Sequence, residues 1–196
     1  FILTRLRRKK IREAAVATAA VAILLAAFME PEGLRRIRSD DFNNMAVAWN
    51  EKGDAEKANI YLERALVDYP LDAPTHFNKG QYYFGKKKWE QAIRYFEKAL
   101  ELKSEMPQPK ERLIDALFLL AKQRMDEGDC RRARVYLQRI LRDQPDSVGT
   151  LLNLGVCYAR LGQDNRARAL FQRALQIDPE NGPAKINLER LGPNVK

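Results

Sequence analysis

Apolar and polar residues alternate with a helical period over most of the chain, in stripes of about 12 to 14 residues split by polar turns such as Glu51-Lys52-Gly53-Asp54. The stripes come in pairs, and the pairs recur. Aligning KANIYL, QAIRYF, RARVYL and RARALF places a small residue at Ala58, Ala92, Ala133 and Ala167, with spacings of 34, 41 and 34. A bulky apolar column follows at the same intervals (Leu62, Phe96, Leu137, Phe171), then a third (Ala65, Ala99, Ile140, Ala174). A prolyl turn closes three copies, at Pro70, Pro145 and Pro179, and Ser104 stands in the remaining one. Two short antiparallel helices cannot bury their apolar faces alone. Stacking pairs side by side does so, with alanines where helix axes approach and Phe or Leu beside them.

The unequal spacing is informative in itself. Seven extra residues are close to two helical turns, so residues 107–113 can lengthen a helix without rotating its apolar face. A long first helix is therefore expected in the third copy, starting near Pro107 or Pro109, where proline is tolerated because the first turn has no acceptors for its amides.

These columns resemble the tetratricopeptide repeat (TPR), whose period is 34 residues and whose pattern runs W-x2-L-G-x2-Y, then A-x3-F, then P. The second copy (Gly80, Tyr83, Ala92, Phe96, Ala99) and the fourth (Leu151, Leu154, Gly155, Tyr158, Ala167, Phe171, Ala174, Pro179) carry the likeness best. The first copy has Phe42, Met45, Ala46 and Trp49 in its first helix, keeping bulk but losing the glycine; the third has Leu117, Leu120, Ala121 and Arg124. The resemblance implies an all-α, right-handed TPR α-solenoid of four helix pairs plus a C-terminal capping helix. The expected boundaries are 39–72, 73–106, 107–147 and 148–181 for the repeats and 182–196 for cap and tail. In the cap, Ile186, Leu188 and Leu191 are expected to cover the last pair while Lys185, Glu189 and Arg190 meet water.

Residues 14–29 form a run of sixteen uncharged, mostly aliphatic residues directly after a basic flank, 1–13, that holds Arg5, Arg7, Arg8, Lys9, Lys10 and Arg12. As a helix the run is about 24 Å long, a little under the hydrocarbon thickness, and the flanking basic side chains can reach the headgroups. It is expected to be a single transmembrane helix in contact with membrane lipid and with subunits of a membrane complex, joined to the repeats by a linker over residues 30–38. A helix buried in a protein complex or an interfacial segment is the alternative. Six basic residues precede the run against Arg35, Arg36 and Arg38 after it, which favours a cytoplasmic start. The repeats are then expected on the periplasmic side of a bacterial inner membrane, with a cytoplasmic repeat domain as the alternative. Because the chain starts on Phe1 and not Met, a preceding span is a further alternative.

Charge changes the picture little. The formal net charge is +9, but residues 39–196 hold 26 Lys or Arg against 23 Asp or Glu, so the repeats lack the basic stripe that would neutralise phosphates, and no nucleic-acid partner is expected. The run Lys86, Lys87, Lys88, Trp89 reads as a turn between paired helices, or else as a contact for anionic headgroups or an acidic partner. Cys130 and Cys157 read as buried free thiols, with a bridge between adjacent helices left open. His76 stands alone, and no phosphate loop, nucleophile motif, cofactor motif or metal-ligand spacing accompanies it, so no catalytic role is expected.

The TPR resemblance implies that function lies on the concave surface of the first helices. Carried onto this chain, those positions are Asn43, Val47 and Asn50; Phe77, Gln81 and Phe84; Phe118, Lys122 and Met125; and Leu152, Val156 and Ala159. The places that form a carboxylate clamp in some TPR co-chaperones hold Asn43, Val47, Asn78 and Asp115, without the cationic partners. A mostly apolar groove suits a helix or extended segment of another polypeptide. The chain is thus expected to be a membrane-anchored TPR scaffold, an accessory or assembly subunit of a larger membrane complex. The alternatives are a receptor or chaperone-like module for substrate polypeptides, and the C-terminal tail of a polytopic membrane enzyme such as a glycosyltransferase.

Overall fold

The computed structural model describes residues 31–192, which are helical with no strand among them. They fall into two compact units that meet in sequence between Asp72 and Ala73. The first holds α1 (Glu32–Glu51) and α2 (Ala55–Asp68), packed as an antiparallel pair. The second holds α3 (Ala73–Gly85), α4 (Trp89–Leu102), α5 (Pro107–Asp126), α6 (Cys130–Asp143), α7 (Val148–Arg160), α8 (Asp164–Ile177) and α9 (Gly182–Arg190). In this unit each helix packs on the next, so three helix pairs are stacked and α9 closes the end.

All three columns aligned in the sequence are buried. The alanine column is at most 4% exposed (Ala58, Ala92, Ala133, Ala167), and the same holds for Leu62, Phe96, Leu137 and Phe171 and for Ala65, Ala99, Ile140 and Ala174. Their apolar area is what repays the entropy of ordering each pair. Two further features set how closely the helices approach. A Cβ on Gly80 would lie 2.5 Å from Phe96 Cδ1, and one on Gly155 would lie 2.8 Å from Phe171 Cδ1, so each glycine is the space its partner ring occupies.

The turns explain where the helices stop. Gly53, Gly128 and Gly162 take positive φ, a region open to glycine at little cost, while the second pair uses Lys87 at φ 57°. Asp54 and Asp129 then cap the following helices, each accepting a backbone N–H at 3.0 Å, from Lys57 and Arg132. Lys88 occupies the same place before Trp89 without a side-chain cap.

Helix α5 has 20 residues against 13 in α3 and α7. The seven additional residues carry Pro109 and Leu113 into the core, which is why this segment continues the helix inward and does not loop out. Across the pairs, Arg124 bonds Glu90, Arg139 bonds Glu97, and Arg160 Nη1 donates to the Met125 carbonyl at 3.0 Å.

Two sequence expectations are corrected here. Residues 32–38 are not a linker: α1 starts at Glu32, straight after Pro31, whose fixed φ suits a helix entry, and Arg38 is held to Asp68 Oδ2 and Oδ1 at 2.6 and 2.8 Å. In the cap, Ala184 is buried and Leu188 and Leu191 pack on the core, but Ile186 is 49% exposed. The core-facing positions, Leu188 and Leu191, lie four and seven residues after Ala184, on one helical face, and Ile186 is two places off it.

The basic flank 1–13 and the anchor run 14–29 lie outside the described residues. None of the described helices is long and apolar enough to cross a membrane.

Candidate functional site

In the second unit, α3 presents Phe77, Gln81 and Phe84 as half-buried residues, with partial exposure also at Phe118 on α5 and at Leu152, Val156 and Ala159 on α7. Each aromatic is held from below. The Phe77 ring lies 5.8 Å from Phe96, and Phe84 meets Trp89 edge-on at 5.0 Å with the Arg112 guanidinium 5.5 Å from its centroid. Trp89 thus anchors the start of α4, as a turn role for the Lys86 to Trp89 run requires. Phe118 packs against both main core clusters.

Phe84 and Phe118 come together in one hollow of about 440 Å³. Its lining includes the apolar Ile114, Leu119 and Ile140, the polar Asp115, Gln144 and Ser147 at its rim, and the buried Thr150. Ser147 and Thr150 share a hydrogen bond of 2.8 Å, which ties the α6–α7 turn to that rim. An apolar floor with two aromatic edges and one carboxylate at the rim suits an apolar side chain of a polypeptide, whose backbone amides could then meet the polar rim.

Lys122 is exposed and lines a different hollow of about 580 Å³, with Trp89, Leu119, Asp126 and Glu127. There Arg124 bonds Glu127 and holds its carboxyl below the ordinary glutamate value, and the guanidinium is in turn held above its own. In the first unit Asn43 is half-buried while Val47 and Asn50 are exposed.

One expected groove residue is corrected. Met125 is 8% exposed and belongs to the core with Ala121, Cys130 and Leu137. It is spaced four and eight residues from Ala121 and Leu117, so it falls on the inward stripe of α5. Conversely, Ile140, Gln144, Ser147 and Thr150 are not among the expected groove positions: Ile140 comes from a second helix, Gln144 and Ser147 from the turn after it, and Thr150 from the first turn of α7, ahead of the groove positions that begin at Leu152.

No group of three His, Cys, Asp or Glu able to hold a metal ion occurs among the described residues. His76 packs its ring 5.9 Å from Tyr95. Cys130 and Cys157 are both free and buried, and they face each other in the core. Burial, followed by the hydrogen bond between the two thiols, pushes Cys157 up to about 12, so neither geometry nor ionisation favours a nucleophile.

Stacked helix pairs, a terminal cap and a half-exposed face on the first helices define an α-helical repeat solenoid. The repeat is the tetratricopeptide repeat: residues 73–106 and 118–182 each match a family model described as "Tetratricopeptide repeat", and this chain carries that repeat. Among curated relatives, Protein CTR9 homolog of Arabidopsis thaliana is 25% identical over 154 residues, covering 79% of this chain and 11% of that protein. Human Protein O-mannosyl-transferase TMTC3 is 29% identical over 150 residues, covering 74% of this chain and 16% of its own length. The chain therefore spans less than a fifth of each of these relatives. Of solved structures, YrrB, described as a TPR protein with an unusual peptide-binding site, aligns with a TM-score of 0.52 at 23% identity, covering 76% of this chain and 74% of that one. MamA aligns at 0.53 and 18%, covering 79% and 80%. Both show likeness of fold.

Proposed function

We propose that this protein is a membrane-anchored scaffold that holds a polypeptide segment of a partner against the second unit, as an accessory or assembly subunit of a membrane complex. The hollow containing Phe84 and Phe118 carries the reading: two aromatics remain half-exposed beside a polar rim although the repeats around them bury their apolar columns. Buried aromatic anchors dominate the energetics of such contacts. The membrane part rests on sequence, namely the basic flank 1–13 and the uncharged run 14–29. By the same charge bias the repeats lie outside the cytoplasm, in the periplasm of a bacterial cell. Protease added to intact spheroplasts then digests the repeats; protection would place them in the cytoplasm.

Phe84→Asp and Phe118→Asp each weaken a bound partner by well over about 1 kcal/mol in this account, without lowering the thermal midpoint to the same degree. Unchanged affinity in both variants removes the assignment. The apolar floor equally serves transient capture of substrate polypeptides, in which case the isolated repeats bind unfolded chains above background.

A second reading has its own support. The likeness to the human O-mannosyl-transferase favours the C-terminal repeat part of a polytopic membrane enzyme, with the chemistry carried elsewhere in the protein. Reading the gene upstream of Phe1 decides it, since a start codon within a few residues eliminates that option.

A further inference from the structure

Cys130 and Cys157 come from consecutive repeats, and the fold brings them together. Cys130 opens α6, and Cys157 sits in the second half of α7. Both are buried in one core cluster, and their thiols hydrogen-bond to each other. The repeat register accounts for the meeting. Stepping back by the spacings of 41 and 34 leads to Trp89 and Gln123, which line one hollow a repeat earlier. At both steps, then, the start of a second helix lies beside the first helix of the following pair. Packing does not call for a thiol at that start, which holds Ala55, Trp89 and Asp164 in the other repeats.

Thiols in hydrogen-bond contact need only a small approach to reach the ~2.05 Å of a disulfide. Among the described residues no third His, Cys, Asp or Glu completes a metal set with them. We propose that Cys130 and Cys157 are a modification site: an intrachain disulfide, made by exchange with a donor such as oxidised glutathione, that joins the third repeat to the fourth. In the first step the Cys130 thiolate attacks the donor disulfide, and one donor thiol leaves. In the second, the Cys157 sulfur displaces the other donor thiol from Cys130. One sulfur–sulfur bond forms in the chain, the donor takes up two electrons, and the two cysteine protons leave with the two donor thiols. Burial keeps the folded pair from any donor, so exchange takes place while the chain folds or when the first turn of α6 opens. The finished bond is shielded in the core. It pins α6 to α7, the helix that presents Leu152, Val156 and Ala159, and it removes chain entropy from the unfolded state. Nothing in this depends on the membrane-anchored reading.

The test uses the full chain in detergent micelles, refolded out of urea with oxidised and reduced glutathione present, so that burial cannot keep the donor away. The expected product has lost two hydrogens and carries no glutathione. Trypsin without reductant then yields the peptide 125–131 linked to the peptide 143–160, and reductant separates them. The thermal midpoint of the oxidised chain lies at least about 5 °C above that of the reduced chain. Cys157→Ala, which cannot close the bond, shows no such rise. Four results overturn the inference: two thiols that still alkylate after refolding, glutathione adducts in place of the bond, bonds between chains in place of the internal one, or an oxidised midpoint equal to or below the reduced one, which marks a bond the fold does not accommodate.

Discussion

Single side chains decide how tightly the repeat units close. Gly155 leaves the volume filled by the Phe171 ring, and Gly80 does the same for Phe96. Both rings are essentially inaccessible, so neither can move aside for a methyl group without displacing a neighbouring helix. Gly155→Ala is therefore expected to destabilise the protein by about 1 to 3 kcal/mol, read as a lower chemical-denaturation midpoint, despite alanine's better helix propensity. Lys87 presents the opposite case. It adopts a left-handed conformation at the turn where three other pairs place glycine, and Lys87→Gly is expected to raise stability by up to about 1 kcal/mol in the same assay. Glu127 gives a pH-dependent signature. Its carboxyl is held below the ordinary value first by Arg124 and then by Gln123, so its contribution to stability is present above the unfolded-state value and lost as pH falls through the folded one. Arg124→Ala shifts the Glu127 titration upward in a carboxyl-resolved NMR experiment; an unmoved curve contradicts the pairing.

Helices are the scale at which sequence and structure agree most closely, and the reason is geometric. A solenoid repeats one packing problem, so each buried contact imposes a column at fixed spacing, and the columns at Ala92, Phe96 and Ala99 and their counterparts can be read without coordinates. Periodicity is weaker where a side chain sits between stripes. Met125 has helical spacing to both Phe118 and Leu117, and only packing against Cys130 and Leu137 places it inside. Ile186 was assigned to the cap interface for being apolar, although the face led by Ala184 excludes it. The hollow is half legible: Phe84 and Phe118 follow from the register, whereas Gln144 and Ser147 flank the prolyl turn between α6 and α7 and Thr150 opens α7, places where the repeat pattern fixes the turn but not which side chains line a hollow. The start of α1 departs from the linker expected over residues 30–38 because Pro31, at the N-cap, opens a helix there.

At the scale of the whole molecule, the second unit contains its own core. The clusters around Phe96, Leu137, Phe171 and Ala184 are formed by residues between Ala92 and Ala184, and α9 covers the last pair. Residues 73–192 are accordingly expected to fold alone, giving a helical circular dichroism spectrum and one cooperative unfolding transition; a non-cooperative melt contradicts this. The most direct test of the central claim, that the face bearing Phe84 and Phe118 receives a partner polypeptide, is site-specific photo-crosslinking in native membranes. A photoreactive residue replaces Phe118 or, on the outward side of α6, the exposed Arg142. The account predicts a discrete crosslinked polypeptide from position 118 that is absent from position 142 and lost with Phe84→Asp; equal crosslinking at both positions, or none at 118, contradicts it.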